Sequence, residues 1–158
     1  MIQPAPTSPS LPLVISPLLS RREPAALATI QPTFTTKEIK LSPEELITRY
    51  QAGERDFRQV DLTEANLSGL DLTGIDFSGA NLSQANLSGT NLSQATLSSA
   101  VLKEANLTGA DLSNADLSWA DLGFANLTQA NLTGATMTAT ILFRVRFKDT
   151  TMPDGQQR

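Results

Sequence analysis

The chain has 158 residues, with 12 Lys and Arg against 16 Asp and Glu, and neither His nor Cys. That length fits one domain plus a tail, and the missing residue types exclude a thiol nucleophile, a disulfide framework, an imidazole base and the usual zinc or haem sites. A formal charge of −4 argues against a general nucleic-acid binder, which needs a basic surface. Neither an enzyme nor a cofactor is expected from such a composition.

Residues 1–35 carry seven prolines, Pro4, Pro6, Pro9, Pro12, Pro17, Pro24 and Pro32. Proline at that density prevents helix and cannot feed a sheet ladder, so a disordered tail is expected. The apolar run from Leu11 to Leu19 has the length of a signal-peptide core. However, nothing basic precedes it, Arg21 and Arg22 follow it, and Pro12 and Pro17 interrupt it. No apolar stretch approaches the roughly 20 residues of a membrane span, and a soluble, cytoplasmic protein is expected. Removing residues 1–35 is expected to leave the circular dichroism and the melting temperature unchanged. A large drop in melting temperature would show that the tail packs on the folded part.

Residues 36–54 read as a capping helix segment. In Leu41-Ser42-Pro43-Glu44-Glu45-Leu46, Ser42 is an N-cap, Pro43 takes the first helical position and Glu45 completes a capping box. Leu41 and Leu46 form a hydrophobic staple, and Gly53 ends the helix in a left-handed conformation. The helix is predicted over about 43–52, with Leu46, Ile47 and Tyr50 on its buried face.

From 55 to 154 the sequence repeats every five residues, before a short tail at 155–158. Twenty large apolar residues recur at one spacing, from Phe57, Leu62 and Leu67 through Leu97 and Leu117 to Met137, Leu142, Phe147 and Met152. Two positions before each centre stands a small or apolar residue, Ala in twelve units, and Ser or Thr follows the centre in fourteen. An α-helix would step such centres about 140° around its axis, and a flat strand would put them alternately on opposite faces. Within one unit, however, Ala and Leu are two apart and point the same way when extended. A turn after each unit lets all of them face one axis, with glycines such as Gly69 and Gly74 easing corners. The outcome is an all-β solenoid around a Leu and Ala column.

Ala, Asp or Asn, Leu and two variable residues is the pattern of the pentapeptide-repeat proteins, which this segment closely resembles. Leu41–Phe57 and the ending Met152-Pro153-Asp154-Gly155 are similar to cyanobacterial-type members. The resemblance implies a right-handed quadrilateral β-helix of four units per coil, hence about five coils, on the order of 24 Å long. Phe57 and Phe77 are then expected to stack, and Asn66, Asn86, Asn106 and Asn126 to form a ladder up one face.

The functional reading rests on the outer surface. The recurring Asp residues lie on a convex rod without a cleft, so they are read as surface and corner groups rather than catalysts. Seven Asn-X-Ser/Thr triplets match glycosylation acceptors but are a by-product of the repeat. Residues 59–143 hold eight acids against Lys103, while Arg144, Arg146 and Lys148 gather at the carboxyl end. Trp119 and Phe124 occupy positions that elsewhere hold Ser, Gly, Gln or Glu. Phe124, Ile141 and Phe143 share one face near the C-terminal end, with Val101 one coil before Phe124 and Trp119 at the edge. Such a cluster is either a protein-contact patch, including a homodimer contact through the C-terminal end, or a surface covered by the folded-back tail. The expected function is a non-enzymatic interaction or scaffold module with a protein partner, and neither direct nucleic-acid nor membrane binding. As an alternative, the resemblance to DNA-mimicking members implies a protector of a type II topoisomerase (gyrase).

Overall fold

The computed structural model describes residues 39–158, so the Pro-rich tail expected over 1–35 lies outside the described residues. The chain enters as a short strand, β1 (Ile39–Lys40), which pairs in parallel with β2 (Val60–Asp61). Leu41 continues this pairing through its N–H to the Asp61 carbonyl at 3.0 Å. The helix α1 then spans Pro43–Gln51. Its Ser42 cap accepts the Glu45 N–H at 3.2 Å, satisfying one of the donors that a helix start leaves free. Ala52 closes the helix and Gly53 follows at φ 97°, as the left-handed stop requires. Leu46 is fully buried, while Ile47 and Tyr50 are partly buried against the repeat core. Tyr50 also donates its hydroxyl to the Thr73 carbonyl at 2.8 Å, which pins α1 onto the first repeats.

Beyond the helix, the extended segments are single parallel bridges rather than continuous strands. Asp56 pairs with Asp76, Asp76 with Thr96, Thr96 with Asp116 and Asp116 with Thr136, each step advancing 20 residues. Three further columns run from Asp61 to Ile141, Asn66 to Arg146 and Asp71 to Thr151. The chain therefore returns above itself every 20 residues with four sides, here called the Phe57, Leu62, Leu67 and Leu72 sides after their first centres. The hydrogen bonds between turns are regular. Leu97 donates to the Asp116 carbonyl at 2.7 Å, Ser99 to Ser118 at 2.9 Å, and Asp116 donates back to Ala95 at 2.9 Å. Between the first and last turns, each side thus pairs its backbone with the turn before and after it.

The column inside is apolar. Leu62 through Leu132 and nearly all of the paired Ala residues are buried, and Phe57 meets Phe77 edge-to-face at 6.2 Å. Thr90, Thr140 and Thr150 take Ala positions without leaving a polar group stranded. Their hydroxyls donate to the carbonyls of Leu67, Leu117 and Leu127 at 2.6–2.9 Å.

The corners need less glycine than the sequence suggests. In most units the centre carbonyl accepts the N–H three residues on, as Leu62 does from Ala65 at 3.0 Å. The residue before that donor is left-handed, as at the third position of a type II turn. Thirteen non-glycine residues adopt this conformation, among them Glu64, Gln94, Trp119 and Phe124. The ladder on both sides holds these corners where an isolated turn would select Gly or Asn.

The polar position before each centre also does more than face solvent. Asp and Asn there accept the N–H two residues on, as Asn131 does from Thr133 at 3.1 Å, and the Thr133 hydroxyl joins at 2.7 Å. This Asx-type closure explains why the Asn-X-Ser/Thr triplet recurs. The asparagine ladder forms at two steps, Asn86 to Asn66 at 3.1 Å and Asn106 to Asn86 at 3.3 Å. At the third step Asn126 turns to the Thr108 hydroxyl at 3.0 Å.

The same closures set an acid sensitivity. Thr63 and Thr73 hold the Asp61 and Asp71 carboxyls below the usual range through hydroxyl and N–H donors, and Arg49 does the same for Glu54. The Arg58 side chain lowers Asp56 to about 2. Because these groups titrate lower in the folded chain, their contribution is complete above the unfolded values and is lost as pH falls through the folded ones. The melting temperature is expected to be level near neutrality and to fall below about pH 4. A flat profile down to about pH 2 would show that these contacts contribute no stability.

Candidate functional site: an apolar patch near the carboxyl end

Trp119, Phe124, Ile141 and Phe143 are all more than half exposed or at that mark, at 67%, 51%, 50% and 59%. Phe124, Ile141 and Phe143 come together on the Leu62 side. The Phe124 and Phe143 rings meet edge-to-face at 5.3 Å, and Arg144 lies over both, 5.8 and 5.4 Å from their centres. With Lys103, Glu104, Asp121 and Gly123 these three residues line a shallow depression of about 270 Å³. Trp119 is not in this lining. It sits at the preceding corner, just before Ala120 opens the Leu62 side, as its edge position in the sequence implies.

Gly123 makes the floor of the depression. It stands where most units carry Ser or Thr, and an added Cβ would lie 3.1 Å from an Asp121 carboxylate oxygen. Asp121 in turn accepts the Gly123 N–H at 3.0 Å and pairs with Lys103 at 3.1 Å. The depression is therefore lined by two rings and Ile141 together with the Lys103–Asp121 ion pair.

One contributor escaped the sequence reading. Leu142 stands in the inward register, yet it is 39% exposed because no described turn follows it. The tail does fold back, but onto another side. Thr150 exchanges both backbone bonds with Arg158 at 2.9 and 3.0 Å, and Thr151 pairs antiparallel with Gln157. This hairpin covers the Leu72 side and leaves the aromatic patch open. Its only sequence signal is the Pro153-Asp154-Gly155 turn.

The repeat geometry finds its match among known proteins. The profile of the pentapeptide repeats, in eight copies, matches residues 56–79, 75–114 and 110–149, more than half of the chain. The chain belongs to the pentapeptide-repeat family. Solved pentapeptide-repeat structures are right-handed quadrilateral β-helices, in agreement with the four bridge columns. A pentapeptide repeat protein from the Arabidopsis thaliana thylakoid lumen is 36% identical with a TM-score of 0.60, covering 67% of this chain and 72% of that one. Another from Nostoc Pcc 7120 is 45% identical with a TM-score of 0.60, covering 63% and 81%. No curated protein matches the chain. Among the described residues, no helix is long and apolar enough to cross a membrane, and no acidic cluster could hold a metal ion.

Proposed function

We propose that this pentapeptide-repeat protein is a non-enzymatic interaction module. Its rod of about five coils would present the Trp119, Phe124, Ile141 and Phe143 patch to a protein partner. The observation that carries this reading is the backbone at Trp119 and Phe124. Both sit at φ 62°, a conformation costly for bulky side chains, and neither regains that cost by burial. Elsewhere the same corner holds Gly, Gln, Asn, Ser, Glu, Ala, Arg or Asp, and among the described corners only these two are aromatic. Large aromatics kept at a strained, exposed position, with a neighbouring depression walled by further rings, are what a contact surface needs.

Changing Trp119→Ser and Phe124→Gln together is expected to leave the monomer folded and to weaken self-association or partner binding. Sedimentation velocity on the wild type and the double variant tests the self-association half, including a homodimer through the C-terminal end. A wild type that stays monomeric at high concentration, with a variant that melts much earlier, would make the patch part of the chain's own packing.

The excess of acid over residues 59–143 favours a second reading, mimicry of DNA toward a type II topoisomerase. Its aspartates are spread over three sides, and many of their oxygens already close turns, which weakens a phosphate-like stripe. Inhibition or protection of gyrase by the purified chain in a supercoiling assay would promote this reading over the first.

A further inference from the structure

Among the described residues, the last turn carries an unpaired edge as well as an apolar patch. In every earlier turn the centre residue and the residue two later donate to the next turn, as Leu122 does to Ile141 at 3.0 Å and Phe124 to Phe143 at 2.8 Å. Among the described residues, no acceptor faces the corresponding N–H groups of Met137, Ala139, Leu142, Arg144, Phe147 and Asp149. The Leu72 side of this turn is already closed by residues 156–158, so the edge accepts an added strand when one is at hand. On the Leu62 side the edge lies over a half-covered Leu142, with Ile141 and Phe143 flanking it.

Charge selects the occupant. Arg144, Arg146 and Lys148 are exposed, and among the described residues none of them forms an ion pair. A second copy joined end to end about a twofold axis would bring these cations against their own counterparts, and the opposite end of the rod is occupied by α1. We propose that the Leu62 side of the last turn binds an extended acidic segment of another protein as one more parallel rung. The segment's central apolar residue covers Leu142, and its neighbours lie over Ile141 and Phe143. Its backbone accepts from the Leu142 and Arg144 N–H groups and donates to the Thr140 carbonyl. Because the added strand runs parallel, its carboxyl-terminal part reaches Arg144 and Arg146, where carboxylates make charge-assisted bonds. This deepens the interaction reading above by giving the partner's chemistry and mode of attachment.

The test uses the full chain, ¹⁵N-labelled, with the peptide acetyl-Glu-Val-Leu-Val-Glu-Glu-amide and a counterpart carrying Lys for every Glu. Amide exchange at Leu142 and Arg144 is expected to slow with the acidic peptide, and the lysine peptide to bind at least about tenfold more weakly. Arg144→Glu with Arg146→Glu should reverse that preference. Glu already occupies the left-handed corner at Glu64 and Glu104, so the fold accommodates the first change. Peptide-induced shifts at the Trp119 indole with no slowing at Leu142 and Arg144 would overturn strand addition while leaving the contact patch standing. Equal binding of both peptides, or no binding at millimolar concentration, would also overturn it. So would slow exchange at these amides in the peptide-free chain, whether in a dimer or in a monomer.

Discussion

Replacing Leu97 or Leu117 by Asp is expected to unfold the rod. Both side chains are fully buried in a column built mainly of Leu, Ala and Phe. The hydroxyls that do face inward, those of Thr90, Thr140 and Thr150, are already committed to backbone carbonyls, so a carboxylate there would have to be desolvated without a partner or be protonated. Either way the cost is several kcal/mol, comparable to the roughly 5–15 kcal/mol that holds a domain of this size together. Leu97 is the more damaging site because it lies mid-rod. Stability in a solenoid is a sum over neighbouring turns, and a central break leaves two short stacks, each with a newly exposed end. Asn86→Asp should be nearly silent by comparison, since Asp61, Asp71 and Asp76 already serve in the same place, each accepting the N–H two residues on. Thermal melts of the three variants decide the matter. Equal melting temperatures for Leu97→Asp and Asn86→Asp would mean that inward and outward positions have been exchanged.

Starting the chain at Arg55, without α1, is expected to increase self-association of the rod. Leu41 and Leu46 leave with the helix, and both are buried in the same apolar core as the repeat centres. Each such side chain contributes about 1.5–3 kcal/mol by burial. The Asp61 carbonyl also loses the Leu41 N–H, leaving an edge open to pairing with another chain. Sedimentation velocity should show concentration-dependent association, and the melt should fall by several degrees or more. A chain beginning at Thr36 keeps β1 and α1 and serves as the control, so a loss seen in both would trace to the preceding residues rather than to the helix. A monomeric, unaltered rod from Arg55 onward would show that α1 is an ornament of the first turn and not its cover.

Most of this fold is written in the five-residue period, because a side chain's direction depends only on its place in the unit. The spacing of Leu and Ala was enough to assign the buried column, and Ser42, Pro43 and Gly53 were enough to bound the helix to within a residue. What escaped has a common cause: it depends on neighbours 20 residues away. Gln94 or Trp119 at a left-handed corner is unreadable from local preference, since the ladder to the adjacent turns imposes that backbone. The capping role of Asn131 and its relatives appears only once the chain is bent. Leu142 looks like every other centre in the sequence, and its exposure appears only in the stacked turns. The aromatic patch was legible because Trp119 and Phe124 break the repeat, and a strict period makes any exception conspicuous. The Lys103–Asp121 pair and the Gly123 floor follow the repeat closely enough to pass unnoticed.

The 20-residue return also fixes an arithmetic of insertion and loss. Excising residues 81–100 would join Ala80 to Val101 in the same register. The rod would be one storey shorter, with Phe124, Ile141 and Phe143 still on the side they share with Val60. Excising only five residues, a single unit, preserves the column equally well but swings everything downstream by a quarter turn relative to α1. Length and azimuth can therefore be edited separately, the first in steps of 20 and the second in steps of five. A surface recognised by two partners at once, one near each end, would tolerate the former only with a change of distance and the latter only with a change of angle. That makes such a chain a ruler and a compass cut from the same five-letter word.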